Sequence, residues 1–377
     1  MEVEKVLHMN GGEDQASYSN NSLVQKLVIL KVRAILEDSI KNIVCYNSGF
    51  PQCITLAELG CSSGPNALLP IYEMAEIVDK LSHDIELNNI QKPINVQVFL
   101  NDLVGNDFNN VFKLLPSFYK EIEKKRCQVS CFVATMPGSF YGRIFPQHCV
   151  HLVHSSYSLH WLSQVPKGLV SESGIPLNKG NIYIAKISPP SVHLAYLNQF
   201  QKDFTNFLSM RSEEIVDFGS LVLTFICKND EDDGCDFWEL LGITMNDMVI
   251  EGLIEEAKLD MFNLPLYAPS IKEIKQIIEK EGSFKILQLE TFKLKWDSNM
   301  ANHGTEKGEA ILFDDKNRAA YVAGNMRAVQ EPILVDHFGE EIMNDLFERF
   351  GKKAIEYMEN YGKGIINNVV LSFSKMN

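Results

Sequence analysis

The chain has 377 residues with a formal net charge of −14, long enough to bury a large core and too long for a minimal sheet layer, so a core domain with an added lobe is expected. The acidic balance argues against nucleic acid or an anionic membrane as partner, because phosphates are held by clustered Lys and Arg, and a small partner is expected instead. No apolar run approaches the roughly 18 residues of a membrane span, Met1–His8 lacks a signal core, and eight cysteines without a C-x-x-C pair imply reduced thiols in a cytoplasmic protein.

Helical periodicity runs from Leu23 to Val44. The stretch Ile54-Thr-Leu-Ala-Glu-Leu-Gly-Cys-Ser-Ser-Gly-Pro-Asn66 then reads as a buried strand, a glycine turn and a helix start. Gly60 and Gly64 allow tight turning, and Pro65 suits the first position of a helix whose N–H groups stay unpaired. The spacing is not the dinucleotide fingerprint G-x-G-x-x-G; with Glu58 before the turn it fits an S-adenosylmethionine (SAM) loop or a generic strand-turn-helix. A helix from about Asn66 to Leu81 leads to a strand over Val96–Leu103 that ends in Asp102, where a ribose would be read, unless Asn101 and Asp102 merely cap the next helix. Further elements are a helix over Phe108–Lys124, a strand at Cys131–Thr135, then, after Val150–Ser155, a helix over Ser191–Val216 and a strand over Leu221–Cys227. Alternating strands and helices imply right-handed crossovers and a parallel sheet. An acidic loop at Lys228–Gly234 precedes helices over Phe237–Gly252 and Ser270–Glu281. Strands at Phe284–Leu289 and Val369–Phe373 are expected to return to the sheet, with Ser298–Asn317 a mobile surface loop.

Several blocks occur in one order: Met9-Asn-Gly-Gly12 with Ser17-Tyr18 and Asn21-Ser22, the glycine loop, Phe99–Leu103 with Asn106–Phe108, Pro137-Gly-Ser-Phe-Tyr-Gly-Arg143, His154–Ser163 and Phe262-Asn-Leu-Pro265. In these the whole chain resembles the plant SABATH family of SAM-dependent methyltransferases, which make methyl esters of salicylate, benzoate and jasmonate or methylate xanthine nitrogens. The resemblance implies an α/β fold, a Rossmann-like SAM methyltransferase sheet with an inserted, mainly helical cap. It divides the chain into a SAM-binding core over 1–229, a cap over 230–335 with a strand near 284–294 returning to the sheet, and a C-terminal helix and strand over 336–377. A homodimer is implied by family likeness only.

The same resemblance implies cofactor contacts from Tyr18, Ser22, Gly60, Asn66, Asp102, Leu103, Ser139 and Phe140. Asp102 can accept two hydroxyl hydrogen bonds, Gly60 permits close approach, and Phe140 offers an apolar face to adenine. Gln25 and Trp161 map to neutral donors that face an acceptor carboxylate, with Tyr157 and His160 on the same wall and Trp238 and Met326 sandwiching a ring. No catalytic base is expected for a carboxylate acceptor, since transfer is a positional displacement; a xanthine N–H would call on His160 or Tyr157. Some family members hold Mg²⁺ at residues matching Asn178, Asp260, Phe262 and Asn263, here one carboxylate among neutral oxygens.

Three functional readings follow. The pocket residues Gln25 and Trp238, and aliphatic Ile366 where coffee enzymes use tyrosine, favour a methyl ester of a benzoate- or salicylate-type aromatic acid. Asn10 replaces a lysine of a salicylate-specific enzyme and argues against strict salicylate use. The segments Phe112–Tyr119 and Ile286–Lys293 resemble the coffee branch and favour the alternative, N-methylation of xanthines on the way to caffeine. A non-catalytic relative that binds SAM or a hormone is the third reading.

Overall fold

The computed structural model describes residues 2–46, 49–85, 94–125, 129–228, 237–298, 314–362 and 364–376. Most of the expected loops at Lys228–Gly234 and Ser298–Asn317 lies outside those residues, although the end of the second is helical from Asp315.

Seven strands form one sheet: β1 (Cys53–Leu59), β2 (Asn95–Asp102), β3 (Ser130–Pro137), β4 (Val150–Ser156), β5 (Ile215–Ile226), β6 (Phe284–Lys295) and β7 (Ile365–Lys375), in the order β3-β2-β1-β4-β5-β7-β6. The first five are parallel. Much of β1 and β5 is buried on both faces, which is why they carry continuous apolar runs, whereas β2 keeps an alternating burial pattern along most of its length. On one face Leu56, Val98 and Leu152 pack with the helices Arg33–Tyr46, Leu69–Ile85 and Phe108–Lys124. On the other, Leu59, Val153 and Leu223 meet Phe200, Phe204 and Phe207 of the helix Pro190–Glu214.

The expectation of a parallel sheet needs one correction. β7 enters between β5 and β6 antiparallel to both, so the sheet is mixed. The long helical stretch expected at the N-terminus is two helices, Leu23–Lys31 and Arg33–Tyr46, broken at buried Val32. After β1 a single 3₁₀ turn at Pro65–Ala67 precedes the helix Leu69–Ile85.

The helices Phe237–Ile250, Glu256–Met261 and Ile271–Glu281 lie between β5 and β6; Asp315–Phe338 and Met343–Tyr361 lie between β6 and β7. Asp315–Phe338 runs on past 335 before Gly339 ends it with a positive φ. The helix Ile271–Glu281 has a complete capping box from Ser270 and Glu273 and left-handed Gly282 at its end, local signals that define its limits. Among the described residues no helix is long and apolar enough to cross a membrane.

The order 3-2-1-4 places a topological switch between β1 and β4, and ligands in such sheets lie outside the carboxyl ends of the strands there. Gly60, Asp102 and Tyr157 follow or close β1, β2 and β4 at that edge.

Candidate active site

Two cavities open at this edge. The first is bordered by Tyr18, Gly60, Ser62, Asp102, Leu103, Ser139 and Phe140. The second lies under the cap helices and is bordered by Gln25, Tyr157, His160, Trp161, Trp238, Asn325, Met326, Gln330 and Ile366. Met9, Tyr18, Tyr157 and Trp161 border both, so the cavities meet at these four side chains. A group passed from one to the other must cross there.

The first cavity is built on hydrogen bonds that hold the strand ends together. Asn101 donates through Nδ2 to the carbonyls of Met136 (2.7 Å) and Gly138 (2.9 Å), joining the ends of β2 and β3. The Asp102 carboxylate accepts from the Ser62 N–H (2.7 Å) on one oxygen and the Leu103 N–H (2.7 Å) on the other. The following helix is capped instead by Asp107, which accepts from Asn110 N–H (3.0 Å), so Asp102 is not a capping residue. A carboxylate has about four lone-pair sites, and each Asp102 oxygen keeps acceptor capacity for a ribose hydroxyl. Burial raises its pKa to about 6, opposed by those two backbone bonds.

Gly60 has φ +74, and a Cβ there would lie 2.0 Å from Ser158 Oγ. Its glycine is required by the left-handed turn and by the loop after β4, a different reason from close approach of a ligand. Phe140 packs edge-on against Tyr141 and Phe207 at 4.9 and 5.9 Å between ring centres. Ser22 and Asn66 border neither cavity: Asn66 Nδ2 donates to Ser22 O (2.8 Å) and Oγ (2.9 Å), which ties the N-terminal segment to the glycine turn. Glu58 is also away from both cavities, where its Oε2 pairs with His154 Nδ1 (2.5 Å) between β1 and β4.

The second cavity contains all six residues expected to meet the acceptor. His160 sits among rings, with Tyr157, Trp161 and Trp238 at 5.8, 6.0 and 6.2 Å between centres. Burial lowers its pKa to about 3, so the imidazole is neutral at physiological pH, and its Nδ1 is enclosed without a partner among the described residues. Tyr157 has φ +57, uncommon for a residue with a Cβ. Its hydroxyl donates to Asn368 Oδ1, and burial raises its pKa, so it remains protonated. Gln25 Oε1 accepts from Asn325 Nδ2 (3.1 Å), leaving the Gln25 amide N–H groups for a ligand. Asn10 borders neither cavity and donates to Glu331 Oε2 (2.6 Å).

A profile of the SAM-dependent carboxyl methyltransferases matches residues 4–376. The chain belongs to this family, the SABATH methyltransferases. It is 50% identical to a Coffea canephora protein named "Probable caffeine synthase MTL2", over all of this chain and 98% of that one. It is 48% identical to a 3,7-dimethylxanthine N-methyltransferase of Coffea arabica with the same coverage. Among solved structures it resembles loganic acid methyltransferase with SAH, at 32% identity and a TM-score of 0.82, covering 98% of this chain and 99% of that chain. The protein is a SAM-dependent methyltransferase.

In this methyltransferase an ion pair invisible to periodicity supports the loop that carries Ser139 and Phe140. Arg211 and Glu214, both fully buried, meet at 2.7 Å. Arg211 also donates to the carbonyls of Phe140 (2.7 Å) and Gly142 (2.9 Å), while Glu214 accepts from Ile144 N–H (2.6 Å) and Phe145 N–H (3.0 Å). Asp203 similarly holds Ser163 through backbone and hydroxyl (2.9 and 2.7 Å). Asn325 and Gln330 were not expected at the site from sequence; they share a helix with Met326 but fit no apolar repeat.

The residues considered for Mg²⁺ form a hydrogen-bonded cluster. Asn178 Nδ2 donates to Asn263 Oδ1 (3.1 Å), Asn178 Oδ1 accepts from Ser188 Oγ (2.6 Å), and Asp260 accepts from Gly180 N–H (2.8 Å). Asn263 Oδ1 already accepts from the Asn178 amide, and Asp260 is the one carboxylate of the set, so these residues give no support for a bound Mg²⁺.

Proposed function

We propose that this enzyme transfers a methyl group to a ring nitrogen of a xanthine-type acceptor held in the second cavity. The observation that carries the reading is the character of that cavity: flat aromatic walls from Trp161 and Trp238, and polar groups that are neutral. The one charged residue bordering it among the described residues, Lys228, is exposed. A bare carboxylate would be desolvated there with no buried opposite charge among the described lining residues, which is costly, whereas a neutral heteroaromatic ring is not so penalised. The coffee relatives at 46–50% identity, four of them named as methylxanthine enzymes, support the same choice. This shifts the preference from the carboxyl ester to the xanthine alternative.

In this reading the first cavity holds the cofactor, with Asp102 accepting from the ribose hydroxyls and the Phe140 ring against adenine. The bound cofactor supplies an electrophilic methyl on a sulfonium sulfur. Met9, Tyr18, Tyr157 and Trp161 surround the crossing point, exclude water and align nitrogen, carbon and sulfur, a positional effect of about 7–11 kcal/mol. The ring proton becomes strongly acidic as the N–C bond forms, and neutral His160 offers a lone pair to receive it. Tyr157 stays a donor and fixes the wall.

A second reading, methylation of a carboxylate, is favoured by one arrangement: the Gln25 amide N–H groups and the Trp161 indole N–H are neutral donors that border the same cavity. The structural relative named for loganic acid points the same way. Turnover of labelled SAM against xanthosine, 7-methylxanthine, 3,7-dimethylxanthine, benzoate and salicylate, with products identified by mass, separates the two. N-methylated xanthines support the proposal, and a methyl ester without xanthine product overturns it.

A further inference from the structure

Gln330 is a polar residue of the acceptor cavity whose side-chain oxygen the protein leaves without a hydrogen bond among the described residues. It is 1% exposed on the helix Asp315–Phe338, and its enclosed carbonyl oxygen has no partner among the described residues. Buried amides are nearly always paired, because an unpaired one destabilises the fold. The amide of Asn325 on the same helix obeys that rule, donating to Asn21 O (2.9 Å) and Gln25 Oε1 (3.1 Å). Gln330 is also not among the four residues that border both cavities. It therefore borders the acceptor cavity and not the cofactor cavity.

We propose that Gln330 is a specificity-determining residue that reads a lactam edge of the acceptor, a ring N–H beside a carbonyl, away from the nitrogen that is methylated. A primary amide carries an acceptor and two donors in one plane. A ring –NH–C(=O)– segment presents the complementary pair, so two parallel hydrogen bonds can form and satisfy the orphaned oxygen. The inference rests on the xanthine reading and sharpens it. 7-Methylxanthine keeps a second N–H beside a carbonyl when one nitrogen faces the cofactor. 3,7-Dimethylxanthine has a single N–H, which is the one to be methylated, so no lactam edge remains for Gln330. The enzyme therefore belongs before the last N-methylation of such a series.

The test compares wild type with Gln330→Met, which keeps the volume and removes the amide. Wild type favours 7-methylxanthine over 3,7-dimethylxanthine in kcat/KM, and the variant loses about ten- to hundredfold on 7-methylxanthine, so that the ratio narrows. SAH affinity is unchanged, and Tm is unchanged or raised because no unpaired amide stays buried. A structural amide would instead lower Tm and reduce both acceptors equally. Calorimetry of 7-methylxanthine binding to the SAH-loaded protein accompanies the kinetics. If xanthines are methylated but the ratio ignores the substitution, the Gln330 inference fails and the xanthine reading stands. Binding that depends on Gln330 without turnover preserves lactam recognition and removes the methylation reading. Absence of binding and turnover removes both.

Discussion

Replacing Asp102 by alanine separates cofactor recognition from fold stability in a way the local geometry makes quantitative. The carboxylate already accepts the Ser62 and Leu103 N–H groups at 2.7 Å each, and two ribose hydroxyls would add two charge-assisted bonds at about 1.5–3 kcal/mol each. Their loss weakens SAH binding by about 3–6 kcal/mol, or some hundredfold to ten-thousandfold. The pH dependence provides a second signature. Burial raises the Asp102 pKa to about 6, so in the empty protein the proton is held more tightly than in the unfolded chain, whose Asp titrates near ~3.9. Its contribution to folding stability is thus present below about pH 4 and lost as pH rises to about 6. Cofactor hydroxyls prefer the ionised form, so SAH affinity has the opposite sign: it is full above about pH 6 and falls up to tenfold per unit below it. Isothermal calorimetry between pH 5 and 8 measures both effects; the buffers are chosen to keep the protein folded. Wild type with a flat profile, or an Asp102→Ala variant within about threefold of wild-type affinity, would refute the assignment.

Trp161→Phe keeps the ring against His160 but removes the indole N–H; under the xanthine reading kcat/KM changes by less than about tenfold, whereas a carboxylate donor role costs about 1–3 kcal/mol with benzoate-type acids, as steady-state rates decide. Arg211→Met leaves Glu214 buried without its partner and releases Phe140 and Gly142, with an expected loss of about 3–5 kcal/mol in urea unfolding; the reasoning fails if unfolding is unchanged. The His160 pKa, lowered by burial to about 3, lies below the ordinary histidine value of about 6.5, so stability from its neutral burial is present above about pH 6.5 and declines as pH falls toward 3. Histidine NMR titration checks this directly, and a His160 midpoint near 6.5 would contradict it.

The strands and their terminal loops were legible because their signals are local. Apolar runs mark β1 and β2, and Gly60, Gly64 and Pro65 punctuate the turn between sheet and helix. The Asp107 cap and the Ser270–Glu273 box similarly announce their helices. What sequence could not disclose depends on distant pairing. Ser22 and Asn66 are linked to each other across 44 positions, and Arg211–Glu214 reads as an ordinary i,i+3 charge pair until the sheet and the Phe140 loop bury it. Gln330 escaped notice for a related reason: the helix Asp315–Phe338 touches the core, the N-terminal segment and the cavity, so its polar residues do not fall on a single solvent face. The antiparallel entry of β7 likewise follows from which gap in the sheet remained open, not from its own apolar run.

A single-tube competition tests the central claim most directly. Equal concentrations of 7-methylxanthine and benzoate are given to the purified enzyme with SAM labelled in the methyl group, and the labelled products are separated and weighed by mass spectrometry. The ratio of labels equals the ratio of the two kcat/KM values. The account predicts label on a ring nitrogen of the xanthine in large excess; label accumulating in methyl benzoate while the xanthine stays unlabelled would contradict it.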